Sequence, residues 1–188
     1  SLYTIHMVEF STEGIVLDKE GVGDYDAKVF LYTRDFGKIQ AKVKSLRKIT
    51  SKLAGHLEPL NLVSVRLISK NVNFSNFQIV DALKTGQLPS TTGRMTALRL
   101  IKEIAPDGSM DLALWDFLST TAEAGRAGQA SELSSAKILS LLGFDPTFAS
   151  CQQCGDKKQL NFLIKNLNYV CAPCLSGASM PERFFVLK

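Results

Sequence analysis

Polar and apolar positions alternate strictly along Lys38-Ile39-Gln40-Ala41-Lys42-Val43-Lys44, polar on even numbers and apolar on odd. Successive side chains of a strand point to opposite faces. Ile39, Ala41 and Val43 are therefore expected in a core, with Lys38, Gln40, Lys42 and Lys44 on a solvated face. The preceding run divides the same way, with Lys28, Phe30, Tyr32 and Arg34 on one face and Val29, Leu31 and Thr33 on the other. Asp35-Phe36-Gly37 between the two runs suits a hairpin loop.

Residues 12–18 read as an earlier strand, followed by a turn-rich stretch, 19–26, with Gly21 and Gly23. Residues 45–52 form a short helix or turn in this reading. Residues 60–70, where Val63, Val65 and Leu67 alternate, give a fourth strand. After a polar turn at 71–75, residues 76–83 give a fifth, with Phe77 and Ile79 facing in. Five short strands within about 75 residues fit a small closed antiparallel barrel of the OB type.

Beyond Gly86-Gln87-Leu88-Pro89 the apolar period changes from two to about 3.6. Leu98, Ile101, Ile104 and Ala105 mark a helix starting near 90–92 and ending before Pro106. A second helix follows Asp107-Gly108 and buries Leu114, Trp115, Phe117 and Leu118. Residues 124–130, with Gly125 and Gly128, read as a loop. A third helix spans 131–142, with Gly143 at the left-handed C′ position and Pro146 as a stop. Met110, Trp115 and Phe117 are assigned to packing, and His56, a lone histidine of the kind more often hydrogen-bonded in the structure than a ligand, is assigned no role. The predicted fold class is α+β: an N-terminal OB-type barrel, then a small helical domain.

Charge changes the picture of the first half. Residues 28–52 hold eight Lys or Arg and one acid, a local net charge of +7 in a chain of net +4, so the remainder sums to −3. Concentrated positive charge on a mildly acidic body favours a polyanion, nucleic acid above all. Lysines interleaved with two aromatics on adjacent strands make a single-strand platform, where cations follow phosphates and bases stack on rings. The candidate nucleic-acid residues are Lys28, Phe30, Tyr32, Arg34, Lys38, Lys42, Lys44, Arg47, Lys48 and Lys52. The competing reading makes the lysines an ordinary solvated face and the two aromatics core.

A hydrophobic content of 45% and a charged content of 21% are those of an ordinary globular protein. No apolar run approaches the roughly 18 residues that span a bilayer, and no signal-peptide pattern is present. A cytoplasmic protein is expected. His6-Met7 resembles an expression-vector junction, so residues 1–6 are expected to be vector residues. No phosphate-binding glycine loop, His-Glu-x-x-His or Gly-x-Ser-x-Gly occurs, and Asp24 and Asp26 lie in a turn. No enzyme activity and no small-molecule substrate are expected.

All four cysteines stand near the C-terminus, as Cys151-Gln152-Gln153-Cys154 and Cys171-Ala172-Pro173-Cys174, 16 residues apart. Two such knuckles at that distance are a strong zinc signal. The stretches 160–164 and 168–170 between them would pair as a hairpin. Four thiolates leave the ion no open position, which makes the zinc structural, one per chain. Redox activity at one Cys-x-x-Cys is the competing reading, but it expects a βαβ setting.

Together these pieces resemble the RecO family of bacterial recombination mediators. The likeness is carried by Thr12-Glu13-Gly14-Ile15-Val16-Leu17, Leu31-Tyr32-Thr33-Arg34-Asp35-Phe36-Gly37-Lys38, Leu57-Glu58-Pro59-Leu60 and Leu141-Leu142-Gly143-Phe144-Asp145-Pro146. The resemblance implies an OB domain over 8–84, a helical domain over 88–147 and a zinc-ribbon insertion over 148–176. Residues 177–188 would be a short remnant of the helical domain or a tail. It further implies binding of single- and double-stranded DNA, annealing of complementary strands, and loading of RecA together with RecR at the nucleoid. The single-strand-binding protein is a further implied partner, through the helical domain. An RNA- or ribosome-associated protein with the same two modules is the alternative, and a thiol oxidoreductase the third.

Overall fold

The alternating first half of the chain closes on itself. In the computed structural model, which describes residues 7–69, 76–89, 93–127, 133–176 and the backbone of 184–186, five strands form a closed barrel. They are β1 (Val8–Val22), β2 (Asp26–Thr33), β3 (Gly37–Val43), β4 (Asn61–Ser69) and β5 (Phe77–Gln87), in the order β1-β2-β3-β5-β4. β1 is long enough to pair with β2 through one half and β4 through the other, with an irregularity between Val16 and Asp18. A short parallel pairing of β3 with β5, at Ala41 with Phe77, completes the ring.

The barrel interior is the odd-numbered side of the pattern. Val29, Leu31, Ile39, Ala41, Val43, Val63, Val65, Leu67, Phe77 and Ile79 are all buried together there. Leu46 and Leu57, from the connection between β3 and β4, are buried in the same cluster. Phe10, Phe36 and Phe77 meet in a set of tilted and edge-to-face contacts.

Three helices follow: α1 (Arg94–Ile104), α2 (Leu112–Arg126) and α3 (Ser135–Leu141). Asp111 caps α2 by accepting the N–H of Leu114, and Ser134 caps α3 by accepting that of Lys137. α3 ends in a Schellman turn. Gly143 stands at a φ of 88°, its N–H donates to Ser140 O, and Phe144 N–H donates to Leu139 O.

The helices build a second core against the outside of the barrel. Ile15, Leu17, Phe30, Tyr32, Leu60 and Leu62 of the barrel share one buried cluster with Leu98, Ile101, Leu114, Trp115, Leu118 and Leu139 of the helices. The same cluster continues into Phe162, Tyr169 and Val170 of the cysteine module. That module is a three-stranded sheet of β6 (Leu160–Leu163), β7 (Asn168–Cys171) and β8 (Phe184–Val186), in the order β7-β6-β8, with α4 (Ala172–Ser176) after β7.

One expectation is corrected. Residues 124–126 are not loop: α2 runs through Gly125, where a Cβ would come within 2.9 Å of the Gln87 carbonyl oxygen. The glycine permits helix and strand to approach closely, and its breaker tendency is overridden by that packing. Within the segment expected as a helical-domain remnant or tail, residues 184–186 form a strand added to the free edge of β6. The turn expected at 71–75, the helix start at 90–92, the third helix's start at 131–132 and the vector residues 1–6 lie outside the described residues.

Gly37 marks how tightly barrel and helices are joined. It has a φ of 62°, and a Cβ there would overlap the carbonyl of Ser109. Gly37→Ala should therefore cost about 2–4 kcal/mol in urea unfolding, whereas Gly23→Ala, also at positive φ but in open space, should cost about 1 kcal/mol. Equal losses for the two variants would mean that the Ser109 contact is not close in solution.

Candidate nucleic-acid interface and metal centre

The ten candidate nucleic-acid residues do not share one surface. Phe30 and Tyr32 are 8% and 1% exposed, inside the second core. Tyr32 is fixed there by polar contacts as well: its hydroxyl accepts the N–H of Asp111 at 3.1 Å and donates towards the Asp111 carbonyl at 3.3 Å. Burial pushes the Tyr32 phenol up, against a smaller opposing effect of the Asp111 hydrogen bond. The platform of two exposed aromatics is thus corrected. Both faces of β2 are buried, one by the barrel and one by the helices.

Lys38 belongs to the same seam. Its side chain is 11% exposed, donates to the carbonyl of Lys102 at 2.8 Å and pairs with Asp107 at 3.3 Å. Its own carbonyl accepts the N–H of Gly108. Across the seam, Lys102 of α1 holds Asp18 at 2.6 Å and Glu20 at 2.7 Å, with its ammonium 4.0 Å from the Phe30 ring centroid. Burial alone would lower the Lys102 pKa, but the two carboxylates outweigh it and the net direction is up. Lys28 is half-buried, 6.0 Å from Phe30, and Arg34 stands at the opposite end of β2 beside Glu13.

The remaining cations do gather. Lys42, Lys44, Arg47, Lys48 and Lys52 are all exposed at the end of β3 and along its connection to β4. The connection is turn rather than helix, turned by Ser45 at a φ of 55°, and Leu46 and Leu57 anchor it in the barrel core. Anchoring the apolar residues inward leaves the intervening cations outward.

This basic connection is stitched to the turn between β1 and β2. Arg47 N–H donates to Tyr25 O, the Arg47 guanidinium to Gly23 O, and Ser45 N–H to the Asp26 carboxylate, each at 2.9 Å. Lys42 pairs with the same carboxylate at 3.1 Å. The Ser45 N–H first, and then Lys42, hold the Asp26 carboxyl below its ordinary range. Tyr25 escaped the sequence reading, where it was one residue of a glycine-rich turn. The structure leaves it 55% exposed with the Lys48 ammonium 5.3 Å from its ring centroid.

His56 accepts the N–H of Lys84 at its Nδ1. It lines an open cleft of about 640 Å³ with Lys84–Gln87, Gly125 and Arg126.

The four cysteines converge. Their sulfur atoms all lie within 4.8 Å of one another, and Cys154 and Cys171 are 3.5 Å apart, with no disulfide. Four ligands about 2.3 Å from a tetrahedral ion would be about 3.8 Å apart, so the cluster fits a metal ion closely. Backbone geometry supports it. Gly155, at a φ of 76°, turns the first knuckle and donates its N–H to Cys151 O, while β7 and α4 carry the second.

The backbone N–H of Cys171 first, then those of Cys154 and Gln153, bring the Cys151 thiol down to about 6 against burial. The Cys174 thiol is pushed up to about 12, first by its hydrogen bonds with the Cys171 and Cys154 thiols and then by burial. One sulfur is thus ready as thiolate, whereas Cys171 and Cys174 hold protons that a cation must displace. Titration with Zn²⁺ at neutral pH should release about two or more protons per ion, and about one more below pH ~6, where Cys151 is protonated too. Affinity should accordingly fall as pH falls, and more steeply below that point. Calorimetry in buffers of different ionisation enthalpy counts the protons; release of fewer than one would exclude the thiols as ligands.

The sequence model of the family described as Recombination protein O N terminal matches residues 7–85, the span of the barrel. A protein from Dehalococcoides mccartyi named DNA repair protein RecO is 30% identical over 159 residues, covering 80% of this chain and 63% of that protein. Those of Thermodesulfovibrio yellowstonii and Symbiobacterium thermophilum are 27% and 28% identical, covering 90% and 94% of this chain and 72% of each relative. The chain therefore spans about two thirds of the length of these relatives. The match through the barrel, continued across the helices and the cysteine module, makes this chain similar to the RecO family over most of its length.

Proposed function

We propose that this chain is a non-enzymatic protein of DNA repair and recombination that binds DNA through one end of its barrel and anneals complementary strands. The observation that carries this reading is the exposed group Lys42, Lys44, Arg47, Lys48 and Lys52, set against carboxylates at Asp24 and Asp26. Five cations at the end of β3 and on the connection that follows it lower the repulsion between two polyanionic strands brought to the same place. The likeness to proteins named for DNA repair supports the same polyanion.

Single- and double-stranded DNA are both substrates in this reading, and the cellular place is the cytoplasm, with the chromosome. RecR, RecA loading and the single-strand-binding protein come with the family likeness alone. The ion is zinc, since four thiolates in a closed tetrahedral set suit it and leave no position for catalysis. It is structural: Phe162 and Tyr169 of the ribbon pack in the core shared with the helices, so the metal supports that layer rather than the DNA surface.

With about five phosphates neutralised, the log–log slope of single-strand affinity against salt should be roughly −3.5. Replacing Lys44, Lys48 and Lys52 by Ala should flatten it to about −1.4. Lys38→Met, in the seam, should lower the melting temperature and leave the slope unchanged. Chelation should likewise lower stability without changing the slope. An unaltered slope in the triple variant would remove this connection from the interface, and preference for RNA of the same sequence would favour an RNA partner.

A further inference from the structure

Burial of Phe30 and Tyr32 leaves the barrel's basic end with cations but without the rings first expected to receive bases. Tyr25 supplies one. It projects from the turn between β1 and β2, more than half exposed, while its backbone is held by the N–H of Arg47. The Arg47 guanidinium braces the same turn through Gly23 O, and Lys48 lies against the ring. Ile49, next to Lys48, is fully exposed on the same connection.

More than half of Tyr25 stands in water, so core packing does not explain an aromatic ring at this position. An ammonium lies beside the ring and a guanidinium is bound two residues away at Gly23 O, and cations of this kind bind the phosphates flanking a stacked base. The geometry points to Tyr25 as the stacking residue for an unpaired base of single-stranded DNA, with Lys48 and its neighbouring cations on the flanking phosphates. This rests on the DNA-binding reading above and deepens it. It also separates two modes of binding: a duplex has its bases already stacked and meets the lysines alone, whereas an open strand meets the lysines and the ring.

The test uses the whole chain and two strands of about 12 nucleotides, oligothymidylate and its abasic counterpart. Tyr25→Ala should weaken oligothymidylate binding roughly 5- to 100-fold, leave the abasic strand and duplex unaffected, and keep the salt slope. Tyr25→Phe should bind as the parent does. The exposed position makes both variants neutral in melting temperature. Photocrosslinking of the unaltered protein to a 5-iodouracil strand should give an adduct at Tyr25, which tests the contact without any substitution. Parent-like binding of oligothymidylate by Tyr25→Ala, an equal loss on the abasic strand, or no adduct at Tyr25 would each overturn the ring's role. In those cases a flattened salt slope in the lysine variant would leave the DNA-binding reading standing. Failure of the unaltered chain to bind either strand would overturn both.

Discussion

The outer face of β1 and β2 is a seat for the helices, and the architecture depends on that contact. Phe30 and Tyr32 present apolar surface that must be covered, and the helical layer covers it, with Lys102 of α1 over the Phe30 ring and Asp111 at the start of α2 on the Tyr32 hydroxyl. Fully burying side chains of this size contributes about 1.5–3 kcal/mol each. The polar edges are closed by Lys38 on one side and Lys102 on the other. The barrel is therefore not an independent bead on a string but one wall of a shared core.

That seat decides where charge remains for a partner. Cations beneath or beside the helices are neutralised by Asp18, Glu20 and Asp107, and take no part in the exposed field. Cations beyond the helices' reach, from Lys42 to Lys52, keep theirs, Lys42 excepted in part by Asp26. The basic stretch is thus divided by the fold into a structural share and an exposed share.

The strands were legible because a period of two with one face buried is a strong constraint on register, and Ile39, Ala41 and Val43 enter the barrel as the pattern requires. The four cysteines were legible because their spacing restricts them to one site. The destination of Phe30 and Tyr32 was not, since alternation shows that two faces differ and is silent on what covers the second. Lys38 misled for a related reason: a lysine at a polar position can serve a carbonyl and a carboxylate from a sequence-distant loop as well as it serves solvent. Gly125 and β8 were missed because close approach and edge pairing are tertiary facts that leave no local period. Tyr25 carried no periodic signal, standing in a turn.

The grip of Lys102 on Asp18 and Glu20, beneath the edge of α1 and over the Phe30 ring, has a bearing on how the molecule responds to its solution. Mobile ions weaken interactions among solvated charges far more than among groups sheltered from water. Raising ionic strength therefore acts on the two shares of basic residues unequally. A polyanion can be shed from the barrel's end under conditions that leave the barrel clasped to its helices, so release need not involve any loosening of the scaffold.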